Sequence, residues 1–174
     1  FYFNHASWSP NNTDFIIYLI DKFSRKNKIL FFKKFENLEI INEIDMISHH
    51  EWINNDEIFF YGIIDKVKSF FTFNLITKKF KKINFEFSND DGHPHSSDGN
   101  LFVIDSYPNK FQERVLYTFD LKLNQSSFIG SAYNNFYLTN EKKCDFHPKI
   151  SKNNKIILLD TSHNIRREFL ILEI

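Results

Sequence analysis

Apolar residues gather in short runs along the chain, several alternating with polar ones, and the runs are cut by Asn, Asp, Ser, Pro and Gly. "DFIIYLID", "NKILFFKKF", "EIFFYGIID", "KSFFTFNL", "LFVID", "RVLYTFDL", "KIILLD" and "REFLILEI" are rich in Phe, Ile and Tyr. Side chains that branch or carry rings fit a pleated, half-buried surface, and polar interruptions supply turns, so the pattern predicts antiparallel strands joined tightly. Weaker runs, "LEIINEI", "KKINFEF" and "SSFIGSAY", predict a further strand after each of the first three pairs.

These strands recur. "HASWSPNN", "HHEWINND", "HPHSSDGN" and "HPKISKNN" each open on a histidine, at His5, His49, His93 and His147, with spacings of 44, 44 and 54 residues. Each histidine-led segment precedes an apolar run that ends at or near an acid: Asp21, Asp65, Asp105 and Asp160. Four strands in a unit of this length is the period of a propeller blade. The expectation is an all-β chain, a β-propeller of about four blades of four antiparallel strands, with blades over 1–44, 45–87, 88–140 and 141–174. The last blade ends without an outer strand and the chain opens at Phe1 with no basic-then-apolar leader. It therefore reads as a single partial propeller, a piece of one with six to eight blades, whose remaining blades belong to a parent chain. The longest spacer, "SAYNNFYLTNEKKCDF", accounts for the wider third interval.

Composition narrows the function. With 22 Lys+Arg against 22 Asp+Glu the chain has no net charge, so the basic footprint of a phosphate-backbone binder is missing and nucleic acid is not expected. No apolar run approaches the roughly 18 residues of a membrane span. The single cysteine, Cys144, forms no internal disulfide and no CxxC metal site, which leaves cytoplasmic and periplasmic locations both open.

In a propeller the first strand of each blade lines the central channel. His5, His49, His93 and His147 are therefore expected near one another at one end of it, where small ligands bind. Imidazoles there act as metal ligands, as bases titrating near neutrality, or as donors to an anion. The plainer alternative is that each fixes a turn by hydrogen bonding. A second polar pattern joins the second and third strands: Asp105 with Arg114, and Asp160 with His163 and with Arg166 or Arg167. These groups suit sugar hydroxyls or a carboxylate, the guanidinium binding in bidentate fashion, and they equally suit an Asp-capped turn paired to an Arg.

"NHASWSPNN", "SHHEW", "DGHPHSSDGNLFVIDSYPN" and "CDFHPKISKNNKIILLDTSHNIRREFLIL" resemble successive blades of the oligogalacturonate lyase-like propellers and of TolB-type repeats, over nearly the whole chain. The resemblance implies a seven-bladed propeller. Its lyase members cleave oligogalacturonates by β-elimination, with a histidine acting near a manganese ion held by histidines and a glutamine. It places the catalytic histidine on His49 and metal-binding histidines on His93 and His147. The closing blade of that family reads Gln-x-x-His-x-His; here Cys144, Asp145, Phe146, His147, Pro148 and Lys149 stand in that order, and only His147 matches.

Three functions follow as expectations. The first is a binding module whose histidines, with Asp105, Asp160 and the arginines, engage an acidic oligosaccharide or polysaccharide, or a divalent metal such as manganese. The second is a metal-assisted lyase on uronic-acid oligomers with His49 as the proton acceptor. The third is a protein-interaction scaffold.

Overall fold

The computed structural model describes residues 1–24, 26–33, 37–85, 90–133, 144–164 and 166–174. The described residues form strands and turns without a helix, so none of them makes a helix long and apolar enough to cross a membrane. Two compact units follow one another, Phe1–Asn84 and Phe85–Ile174. Each contains two blades of a β-propeller fold, as the period predicts.

In the first unit, β1 (Tyr2–Trp8), β2 (Phe15–Ile20), β3 (Asn27–Lys33) and β4 (Asn37–Ile44) form one antiparallel sheet in chain order. β5 (Met46–Asn54), β6 (Glu57–Ile64), β7 (Val67–Asn74) and β8 (Lys79–Lys82) form the next. Alternation explains how they pack. Ile16, Tyr18, Ile29 and Phe31 from one face of the first sheet meet Ile58, Phe60, Phe71 and Phe73 of the second, all buried. A fully buried side chain of this size contributes about 1.5–3 kcal/mol relative to exposure, so this shared layer is the principal cohesion of the unit.

In the second unit, β9 (Pro94–Ser96), β10 (Leu101–Asp105), β11 (Glu113–Asp120) and β12 (Gln125–Tyr133) make a four-stranded sheet. β13 (Lys149–Ile150), β14 (Ile156–Thr161) and β15 (Glu168–Glu173) make a three-stranded one. Val103 and Leu116 pack against Phe146, Ile150, Ile157 and Leu159. Residues 134–143, most of the long spacer and including Tyr137, lie outside the described residues.

Turn chemistry repeats with the blades. Ser9 and Ser151 each close a loop in which an asparagine, Asn12 at φ 58° or Asn154 at φ 55°, takes the left-handed conformation that Asn tolerates. Neighbouring turns clip together within each unit. The Asn11 amide donates to Asn55 Oδ1 at 3.0 Å, and Asn154 Nδ2 donates to Asp98 Oδ2 at 2.8 Å.

One element departs from expectation. The fourth strand of the second sheet spans Lys79–Lys82, so it begins two residues before the run "KKINFEF" and shares Lys81 and Lys82 with it, while residues 86–87 of the run lie outside the described residues. Phe80 decides this, pairing across to Phe73 with stacked rings 4.3 Å apart and packing on the core. Ile83, also buried, donates its amide to the Phe70 carbonyl.

Two sheets are apolar on a face that remains exposed. On the first, Phe3, Trp8, Leu38 and Ile40 are 48–62% exposed. On the last, Ile156, Leu158, Phe169 and Ile171 alternate with the buried or half-buried Ile157, Leu159, Leu170 and Leu172. Strands apolar on both faces belong to sheets covered on both sides.

Candidate metal centre

The site of the second unit is built around Asp105, the last residue of β10, fully buried. Gly92 is what lets the chain reach it: a Cβ at that position would lie 1.9 Å from the Asp105 carbonyl oxygen, so only glycine fits. With the backbone this close, the His93 amide donates to Asp105 Oδ1 at 2.6 Å. His93 Nδ1 lies 3.0 and 3.1 Å from the two carboxylate oxygens. The His147 amide donates to Asp105 Oδ2 at 3.2 Å. One carboxylate thus fixes the histidine-led segments of two consecutive blades.

His147 is held at φ 41°, an uncommon conformation for a residue with a Cβ, just before β13. That conformation brings its ring to His93, with centroids 4.2 Å apart. Two residues earlier, Asp145 enters the same space. Ligand atoms from His93, Asp145 and His147 all lie within 4.8 Å of one another.

A second layer supports this cluster. The buried Arg114 guanidinium, from β11, is ion-paired to Asp145 Oδ1 and donates to the Ser106 carbonyl at 3.2 Å. Burial, followed by the neighbouring His93, pushes the His147 pKa below its ordinary value, which favours the neutral imidazole that binds metals. Outside the cluster opens a cleft of about 430 Å³, lined by Tyr107, Arg114, Cys144, Asp145, His147 and Arg167. Arg167 reaches it while paired to Asp160 at 3.1 Å.

No family model matches the sequence, and no curated protein matches it. Solved structures do. TolB from Acinetobacter baumannii is 14% identical with a TM-score of 0.70, over 99% of this chain and 41% of that one. An oligogalacturonate lyase in complex with manganese is 12% identical with a TM-score of 0.76, over 99% of this chain and 48% of that one. The oligogalacturonate lyase of Vibrio parahaemolyticus is 12% identical with a TM-score of 0.57, over 98% and 65%. The fold is that of the TolB and oligogalacturonate lyase β-propellers. The chain spans 41% and 48% of the length of the first two.

Within this propeller fold the residues singled out from sequence take distinct places. His93 and His147 come together, and Asp105 stands behind them as their support. Arg114 pairs with Asp145 from inside the protein, and Asp160 with Arg167 at the cleft. His163 is half-buried, its Nδ1 3.0 Å from Thr161 Oγ1. Arg166 points to solvent, 81% exposed, and pairs with Glu168, so its neighbour Arg167 is the one at the cleft. Asp145 and Gly92 had escaped the sequence reading. A carboxylate two residues before a repeated histidine was the available signal for Asp145, and the Gly-His pair for Gly92.

His5 and His49 lie in the first propeller unit, on β1 and β5, where both strands slip register between Asn4 and Ser7 and between Ile47 and His50. Such bulges re-aim side chains. Here they bring the His5 and His49 rings to 4.5 Å, with His5 at φ 49°. Beside them, Ser7 Oγ lies 2.5 Å from His50 Nε2 and accepts from Trp52 Nε1 at 2.9 Å, which ties β1 to β5. Burial, then the adjacent His5, pushes the His50 pKa down to about 3.

Proposed function

We propose that this propeller chain is a binding module that holds a divalent cation on His93, Asp145 and His147 and retains an acidic saccharide against it. The observation behind this reading is the convergence of three donor atoms within 4.8 Å, with side-chain support for two of them. Asp105 engages His93 Nδ1 and orients the ring, as the supporting carboxylates of ligating histidines usually do. Arg114 fixes Asp145.

Charge supports the same conclusion. The carboxylates of Asp105, Asp145 and Asp160 outnumber the guanidinium groups of Arg114 and Arg167 that pair with them, so the cluster is left negative when its imidazoles are neutral. A bound cation would supply a Lewis-acidic point for a sugar carboxylate. Arg167, about half exposed, offers a second contact for that carboxylate, and the exposed Tyr107 ring offers a face for the sugar.

The exposed apolar faces of the first and last sheets suit further blades of a longer parent propeller. A manganese-containing oligogalacturonate lyase among the structures of this fold favours a uronic-acid ligand, and it keeps in view a lyase in which His49 takes the proton.

Elemental analysis and titration calorimetry with oligogalacturonate test the reading. Near-stoichiometric divalent metal, lost in His93→Ala/His147→Ala, with saccharide binding abolished by chelator, is the expected result. Saccharide binding that persists without metal would overturn it. Release of an unsaturated product, lost in His49→Ala, would move the assignment from binding to lysis.

A further inference from the structure

We infer that the cation this site accepts is a borderline-soft, four-coordinate ion of the zinc type rather than manganese. The inference rests on the reading that His93, Asp145 and His147 bind a cation at all.

The donor set is two imidazole nitrogens and one carboxylate. Imidazole-rich sites suit zinc and its neighbours, whereas manganese favours six-coordinate surroundings dominated by oxygen. Asp145 has one carboxylate oxygen committed to Arg114, so it approaches a cation through the other and adds a single bond. Three protein donors plus one open position is the coordination of a zinc-type binding site.

The cleft wall does not build toward a larger shell. Arg114 and Arg167 occupy two of its positions, and a guanidinium has no lone pair to offer a metal. The remaining side-chain heteroatoms described there belong to Tyr107 and Cys144, one hydroxyl and one thiol. Cys144, buried at the cleft wall, adds a sulfur, a soft donor rather than a hard oxygen. The scaffold also restricts expansion, because Asp105 anchors His93 and the His147 backbone together. Donors spread over 4.8 Å close onto bonds of about 2.0–2.2 Å with shifts of the order of an ångström.

Cobalt(II) reports coordination number through its visible spectrum, independently of any activity. The metal-free full chain is titrated with Co²⁺, then challenged with Zn²⁺ and with Mn²⁺; His147→Ala is the control. The expected result is the intense visible absorption of four-coordinate cobalt, lost in the control and bleached by Zn²⁺ at concentrations at least about a hundredfold lower than Mn²⁺ requires. Stoichiometric binding with the faint absorption of six-coordinate cobalt would overturn this inference while leaving the cation site standing. Failure of the native chain to bind Co²⁺, Zn²⁺ or Mn²⁺ would remove the site itself.

Discussion

The guanidinium of Arg114, 1% exposed, is ion-paired with the carboxylate of Asp145. A group on the third strand of one blade thereby orients a group on the segment that enters the next. Removing one partner of such a pair strands the other, and the penalty is largest when the stranded group is the buried one. Asp145→Asn retains an acceptor for Arg114 and is expected to keep the fold but lose cation binding. Arg114→Ala strands only the part-exposed Asp145, but it empties the space of a large, fully buried side chain and removes its bond to the Ser106 carbonyl; it is expected to cost about 3 kcal/mol in urea unfolding and to weaken cation affinity about 10–100-fold. Equal stability of Arg114→Ala and the native protein would contradict this account.

Gly92→Ala tests the close approach at Asp105. The new methyl group meets the Asp105 backbone carbonyl at 1.9 Å, with the anchored Asp105 Oδ1 3.2 Å away, and neither can swing aside. The expected loss exceeds about 3 kcal/mol, measured by thermal or chemical unfolding, and cation binding disappears with it. A well-folded Gly92→Ala that still binds would show that the segment can pack differently.

Two substitutions near His50 should act in opposite directions. Ser7→Ala leaves both Trp52 Nε1 and His50 Nε2 without the oxygen they share and is expected to destabilise by about 2–3 kcal/mol. Tyr18 Oη is buried without a hydrogen-bond partner among the described residues, and its pKa is raised by that burial. Tyr18→Phe deletes an unsatisfied group and is expected to stabilise by about 1 kcal/mol. Paired unfolding curves for the two variants give both signs in one experiment.

The fold was legible because blade periodicity and two-sided strands are both local patterns, and the turns at Asn12 and Asn154 follow from residues that tolerate left-handed backbone. Phe80 shows the limit: the strand starts two residues ahead of the run read by alternation, where a single ring packs on the core. In the site, His93 and His147 were visible as repeat positions. Asp145 was not, since its place depends on a guanidinium distant in sequence and on the unusual φ of His147. The choice between Arg166 and Arg167 was equally hidden, because neighbours ahead of a strand point to opposite sides and sequence alone does not say which side holds the cleft.

Acid should loosen the protein through two histidines. The His50 pKa is lowered to about 3, and that of His95 to about 4 by burial and then by Lys149. His95 Nδ1 accepts the Ile150 amide at 3.0 Å, a bond that needs the neutral ring. Both folded values lie below the ordinary 6.5, so the unfolded chain binds more protons in the intervening range. Their stabilisation is complete above about pH 6.5 and is lost as pH falls toward 4 and 3. The urea midpoint should drop between about pH 7.5 and 4.5, and His95→Asn, which keeps an acceptor, should flatten that slope.

The outer face of the last sheet gives a further expectation. Phe169 and Ile171 are 73% and 68% exposed. Light scattering of the 174-residue chain should reveal self-association that Phe169→Glu/Ile171→Lys suppresses, with stability changed by no more than about 0.5 kcal/mol. A monodisperse native chain at high concentration would argue that this face needs no cover.

The left-handed backbone of His147 sets the demands of structure and chemistry at one codon against each other. At φ 41° the residues that suit the chain best are glycine and asparagine, while the cluster with His93 and Asp145 wants an imidazole. Under selection for stability alone, position 147 should drift toward glycine, and the gain would come with a dead site. Under selection for binding it should resist every replacement, including those that make the protein more robust. A saturation library sorted once for expression and once for cation retention would therefore rank the residues at this position in nearly opposite order, a signature that sites of purely structural importance do not leave.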